Sequence, residues 1–374
     1  MTAEDQITSP ANSFIAGIDR LDELGDFRRS APGRPVRVCL RIHVGTSLVM
    51  RIYLASGHKY PGWRYGVAAN IVSDKLARGL AELGHEVRYR VQCSSDTKLP
   101  DGITSVSGFR GDEDILHIND LPLTLSPDTR LPWVRSIHSD VRYQGCLPEV
   151  LTPNCIFVSQ TLARLYKSDR FVLNGVDPAD FIYTETKGDY FLFVVNGGRE
   201  RAGLKGLHIA FGITTLAGVE LRVAGGGRNP KEAAELESLC RQHGAVYLGM
   251  VHGEQKADLF SGARALLFPT QMNEAFGLVV AEALMSGTPV VASDRGAMRE
   301  MLPSQVGFVC TNYFDYLHAI ANVGRIAPAA CRRWALEQFH YLKMAGAYVE
   351  EYRREIEAAS GASSGSASRE RYSS

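Results

Sequence analysis

The feature that most constrains this chain is a repeated alternation of short apolar runs with longer amphipathic ones. Past residue 185 the runs YFLFVVN, VELRVAG, AVYLGMV, ALLFPT and PVVAS are separated by helical stretches such as GLHIAFGIT, PKEAAELESLCRQHG and EQKADLFSGA. Earlier, RIYLAS, HEVRYRV, ILHIN, PWVRSIHS and CIFVS repeat the rhythm, with a helix through NIVSDKLARGLAEL whose stripe is Leu76, Leu80 and Leu83 and whose end is Gly84. Strands alternating with helices predict parallel βαβ units with right-handed crossovers. Two such blocks predict an α/β protein of two doubly wound, Rossmann-like domains facing across a cleft, with ligands beyond the carboxyl ends of the strands.

The predicted boundaries are an amino-terminal extension over 1–34, a first domain over 35–184, a second over 185–335, a helix over 336–358 and a disordered Ser/Gly-rich tail over 359–374. The extension has room for one amphipathic helix through Phe14, Ile18, Leu21 and Leu24. PVRVCLRIHV and RIYLAS compete for the first strand. The 374 residues suit two domains, and equal totals of 41 basic and 41 acidic residues speak against a dedicated nucleic-acid binder. Seven cysteines without a CxxC pair point to reduced thiols and a cytoplasmic protein. No run approaches the roughly 20 apolar residues of a membrane span, and residues 1–12 lack a signal-peptide core.

FPTQMNEAFGLVVAEALMSGTPVVAS, residues 268–293, carries Glu274 and Glu282 inside an otherwise apolar, small-residue run. Carboxylates rarely enter such surroundings without a partner. Eight positions on one helix would put them roughly 80° out of phase. The sequence instead ends a strand at Phe268, loops through Glu274 and starts a helix near Ala275 to Leu278. That helix start offers unpaired N–H groups to a phosphate, and Gly277 permits close approach. The two carboxylates would then accept from hydroxyls on either side. A capping acid followed by a carboxylate on a solvated helix face fits the pattern too.

This stretch resembles the retaining GT-B glycosyltransferases of family four, the glycogen-synthase and mannosyltransferase-like group, through Phe268, Pro269, Thr270, Glu274, Phe276, Gly277, Leu278, Glu282, Ala283, Gly287, Pro289, Val290 and Val291. FVLNGVDPADF resembles that family's domain-junction motif, and NGGRERAGLKG its basic diphosphate motif. The resemblance spans roughly residues 50–356. It implies that the first domain binds the acceptor and the second the nucleotide sugar. It also implies that Glu274 contacts the donor sugar, Glu282 the ribose, and Arg199 and Lys205 the diphosphate, with Gly206, Ala275, Phe276, Gly277 and Leu278 around the donor. The interval from Arg199 to Lys205 is one residue longer than usual, leaving Arg201 as a second candidate. His138 in SIHSD resembles the family's histidine facing the donor sugar, and Gly66 its glycine loop, with Trp63 and Arg64 beside the acceptor. The helix within 345–358 is expected to cross back to the first domain.

The implied activity is transfer, with retention, from a UDP- or GDP-sugar to a small soluble acceptor such as a specialised-metabolite intermediate, a thiol or an alcohol. No cofactor or metal is expected: a fixed arginine and lysine can stabilise the departing diphosphate. Asp112, Glu113 and Asp114 mimic an Asp-x-Asp metal motif but read as a solvated acidic loop, and AGGGR at 224–228 lacks the full dinucleotide spacing. The rival functions are a sugar-nucleotide epimerase or hydrolase on the same scaffold, and a silent nucleotide-sugar binder. Base, sugar, acceptor and oligomeric state are not readable from the residues.

Overall fold

The structure is a computed structural model. It describes residues 49–367 apart from 63–66, 95–96, 120–128, 146–150 and 227–228. The amino-terminal extension and the strand candidate PVRVCLRIHV fall outside these residues.

The first sheet contains β1 (Arg51–Lys59), β2 (Glu86–Gln92), β3 (Ile103–Ser105), β4 (Ile115–Ile118), β5 (Trp133–Ile137) and β6 (Cys155–Phe157), in the order β3-β2-β1-β4-β5-β6. The second contains β7 (Tyr190–Asn196), β8 (Glu220–Gly226), β9 (Val246–Gly249), β10 (Ala265–Phe268), β11 (Val290–Ser293) and β12 (Gly307–Cys310), ordered β12-β11-β10-β7-β8-β9. Every pairing is parallel. The two sheets have the same doubly wound order, and each reverses direction beside its first strand, between β1 and β4 and between β7 and β10. Such switch points open a crevice at the strands' carboxyl ends. β7 is buried along nearly its whole length, as a central strand covered on both faces must be.

Helices α1 (Ala68–Glu82) and α2 (Gln160–Leu165) belong to the first sheet. With the second come α3 (Arg199–Leu204), α4 (Leu207–Ala217), α5 (Pro230–Gln242), α6 (Gly253–Gly262), α7 (Leu278–Met285), α8 (Met298–Met301), α9 (Tyr313–Asn322) and α10 (Pro328–Phe339). α1 buries Leu76 and Leu80 and ends where Gly84 turns left-handed at φ 91°, its N–H reaching Ala81 O.

The final helix, α11 (Tyr341–Ala367), follows the second block yet packs on the first sheet, against α1 and β5. Gly79 of α1 allows this approach, since a Cβ there would stand 2.8 Å from the Ala345 Cβ. At the junction, Val176 N–H donates to Phe339 O and Tyr341 N–H to Val176 O. Tyr348 and Tyr352 are fully buried and polar-bonded: Tyr352 Oη lies 2.6 Å from His117 Nδ1, His117 Nε2 2.7 Å from Ser136 Oγ, and Tyr348 Oη 2.6 Å from the same Ser136 hydroxyl. The helix runs to Ala367, nine residues into the tail whose composition predicts disorder. Once a helix is nucleated and anchored, each added residue gains a hydrogen bond at little cost.

β1 also runs beyond RIYLAS, to Lys59, through an irregularity in its register with β2. β3 and β12 were not anticipated. Each has only three or four residues, too few for a readable alternation.

Burial pushes His117 down to about 3 and His138 down to about 4. Both folded-state values lie below the ordinary histidine value, so the unfolded chain binds protons that the folded one refuses between roughly pH 6.5 and 4. Stability is therefore expected to fall as the pH is lowered through that window. Urea midpoints at pH 7.5 and 5 check it; a protein no less stable at pH 5, with His117 replaced by Gln behaving identically, refutes it.

Candidate active site

The second sheet's switch point is built by two loops pressed together. After β7 come Gly197 and Gly198, the short α3, Lys205 and Gly206. Gly206 has φ 84°, and a Cβ there would lie 1.9 Å from Pro269 O, in the loop after β10. Gln271 N–H donates to Leu204 O at 3.0 Å, tying the same two loops. This contact delivers Lys205 Nζ onto the carboxylate of Glu274 as an ion pair, with the ammonium 5.4 Å from the Phe268 ring centroid. The side chains are 15% and 20% exposed, so solvent screens the pair only partly. Behind Glu274, Ala297 N–H donates to its carbonyl at 2.9 Å, and Gly296 leaves room where a Cβ would meet that oxygen at 2.1 Å.

Gly277, at φ 90°, precedes α7 with no side-chain cap and no acid in the first turn. The helix start thus presents N–H groups and a partial positive charge that suit a phosphate. Ala275 and Phe276 are buried, Phe276 edge-on to Phe339 at 5.6 Å, and Leu278 packs against both cores. The first two therefore offer a ligand their backbone only. One turn into α7, Glu282 is 6% exposed and its carboxylate lies 2.7 Å from Lys256 Nζ of α6. Each glutamate thus faces a lysine, not a solvated surface. Lys256 was missed because its link to Glu282 spans separate helices, where no spacing rule applies.

On the opposite side, His138 stands one residue past β5. Its Nε2 is 2.6 Å from Asn119 Oδ1, just beyond β4. Two contacts bring this edge to the second sheet. Tyr143, shortly after β5, accepts at 3.4 Å from Asn273 N–H, next to Glu274. Glu300 of α8 caps α2, accepting from Gln160 N–H and Thr161 N–H at 2.9 Å each. Neither residue was singled out from the sequence.

Arg199 opens α3 and is exposed, as is Arg201. The methylenes of Arg201 lie over Gly197, and Lys205 follows the helix directly. Gly66, Trp63 and Arg64 lie outside the described residues. The loop that leads to them is anchored by Asp74 of α1, which accepts from Gly62 N–H at 2.7 Å and Tyr89 Oη at 2.8 Å, and lies 3.0 Å from His58 Nε2.

The acidic run is an ion-pair cluster. Arg88 meets Asp112 and Glu113, and Arg51 meets Asp112 and Asp114. Hydrogen bonding from Arg88 holds Asp112 down to about 2. Among the described residues no group of His, Cys, Asp and Glu is arranged to hold a metal. Gly225 is a packing glycine, since a Cβ there would meet Val195 O at 1.8 Å.

A family model described as glycosyl transferases group 1 matches residues 177–323. The chain is 26% identical over 275 residues to the O-antigen chain mannosyltransferase C of Escherichia coli, covering 62% of this chain and 72% of that one. It is 27% identical over 313 residues to a phosphatidyl-myo-inositol mannosyltransferase of Mycolicibacterium smegmatis, covering 68% and 78%. Among solved structures it superposes on AviGT4, a glycosyltransferase involved in avilamycin A biosynthesis, with a TM-score of 0.63 at 24% identity over 83% of this chain and 98% of that one. The chain is a glycosyltransferase with the GT-B fold. This glycosyltransferase uses a nucleotide sugar, and no helix among its described residues is long and apolar enough to cross a membrane. The family match takes in β7 to α9, the part that holds Lys205, Glu274 and Glu282.

Proposed function

We propose that this glycosyltransferase moves a hexose from a UDP- or GDP-sugar to a small soluble acceptor, with retention at the anomeric carbon and without a metal. The observation that carries the reading is the Lys205–Glu274 pair, held at the switch point by the Gly206–Pro269 contact beside the open start of α7. When a donor binds, its diphosphate takes the place of the carboxylate before Lys205, and Glu274 turns its acceptor oxygens to the sugar hydroxyls. The α7 amide groups, Lys205 and the exposed Arg199 or Arg201 then stabilise the charge that grows on the departing nucleoside diphosphate. Glu282 accepts from the ribose, with Lys256 paired beside it. Retention follows from front-side attack, in which a donor phosphate oxygen removes the acceptor proton and catalysis rests on positioning.

The small acceptor is favoured by the likeness to an avilamycin glycosyltransferase. The mannosyltransferase relatives make phosphatidylinositol and glycan acceptors the comparison arms. UDP is tested first because HepE of Anabaena, at TM-score 0.57 and 14% identity, is solved in complex with UDP and glucose.

Thermal shift with UDP, GDP, ADP and TDP identifies the base, the cognate diphosphate at a hundred times its Kd adding about 2.7 kcal/mol of stability. Transfer in excess EDTA, with anomeric configuration read by NMR, then tests the rest. Inverted product, or activity that vanishes in EDTA and returns with magnesium, overturns the respective part.

A further inference from the structure

We propose that Asn119 is a positioning residue that fixes His138 as the Nε2–H tautomer, so that the ring presents an Nδ1 lone pair to the donor sugar and selects a hydroxyl able to donate. The sugar half rests on the donor site proposed above, with His138 on the edge that the Tyr143–Asn273 contact brings to it. The tautomer half rests on the polar chain behind it.

Asn119 is 1% exposed and held at three points. Its N–H donates to Ala55 O at 2.8 Å, which pins the backbone between β1 and β4. Its side-chain nitrogen meets the Ser73 hydroxyl on α1, and its Oδ1 lies 2.6 Å from His138 Nε2. The Ser73 hydroxyl has one hydrogen, which goes to Ala69 O at 3.0 Å. Towards Asn119 it can only accept, so the amide must turn its NH2 to Ser73 and its oxygen to His138. An oxygen acceptor 2.6 Å away demands a hydrogen on Nε2. Burial keeps the ring neutral near pH 7, so Nδ1 carries the lone pair. It has no protein partner among the described residues.

A neutral Nδ1 acceptor matches a sugar hydroxyl that donates. A carboxylate there, as on a uronic acid, would meet lone pair against lone pair. The fitting donor class is a neutral hexose. Glu274 at the other loop is acceptor-only as well, so both ends of the sugar would be read by groups that require hydroxyl donors.

The tautomer is read directly in the ligand-free protein from long-range proton–nitrogen correlation of labelled histidines at pH 7, with His138 assigned by the signals missing from His138→Gln. A protonated Nε2 and bare Nδ1 are expected; a hydrogen on Nδ1, or on both nitrogens, overturns the proposal whatever the enzyme's activity. In the full-length enzyme Asn119→Ala is expected to lower kcat by about ten- to a hundredfold, as for other groups that orient a functional histidine, with the donor KM changed less than about threefold. Asn119→Asp turns a second oxygen to the accepting Ser73 hydroxyl and its charge favours a hydrogen on both ring nitrogens, so it is expected to stay as impaired as Asn119→Ala; no loss in the alanine variant, or full activity in the aspartate variant, overturns the positioning role. Full activity of His138→Gln would instead overturn the placement of His138 at the donor, and with it the sugar half alone.

Discussion

Lys205→Ala is expected to lower kcat/KM by about a thousandfold, or about 4 kcal/mol of transition-state stabilisation. The lysine is delivered by a fixed backbone contact, is 15% exposed, and already pairs with a carboxylate that a diphosphate can replace. The leaving group gains charge as the glycosidic bond breaks, so the ammonium acts more strongly in the transition state than on the bound donor, and kcat should fall more than KM rises. The fold should change little, because Lys205 only caps the six-residue α3 and the side chain it leaves behind, Glu274, keeps 20% exposure to water. The expected stability loss is about 1 kcal/mol. Steady-state kinetics beside a denaturation curve decide the matter. A loss under tenfold, with the protein folded, would remove Lys205 from the centre of the reaction.

What could be read without coordinates follows from how local each signal is. Strands such as YFLFVVN and PVVAS announce themselves because both faces are buried, and their apolar character survives in one dimension. The Glu274-to-Glu282 stretch is legible for the same reason: loop, glycine and helix start are contiguous. Long-range partners are not. Asn119 and His138 are nineteen positions apart on neighbouring strands, Glu282 draws Lys256 from another helix, and Glu300 caps a helix about 140 positions earlier. These pairings depend on strand order and crossover geometry, which no spacing encodes. The polar bonds of Tyr348 and Tyr352 are equally silent: the family resemblance sends their helix back to the first domain, but no spacing pairs the two tyrosines with Ser136 and His117.

Glycines test the geometry without touching any charged group. Gly206 and Gly218 both hold left-handed backbone, at φ 84° and 65°, and flank the same helix, α4. An added methyl at Gly218 meets nothing within 4 Å, whereas at Gly206 it would stand 1.9 Å from Pro269 O. Gly218→Ala should therefore carry only the left-handed strain of about 1–2 kcal/mol and leave kcat/KM unchanged. Gly206→Ala carries that strain plus an overlap with a carbonyl that cannot rotate aside, about 1–3 kcal/mol more. Relief requires the two loops to part. That movement takes Lys205 from Glu274 and the diphosphate alike, so kcat/KM should drop about a hundredfold, the scale set by a displacement of roughly 1 Å. Urea denaturation and donor kinetics on the two variants separate strain from contact. Equal stability losses, or a fully active Gly206→Ala, would mean that the Gly206–Pro269 contact does not set the position of Lys205.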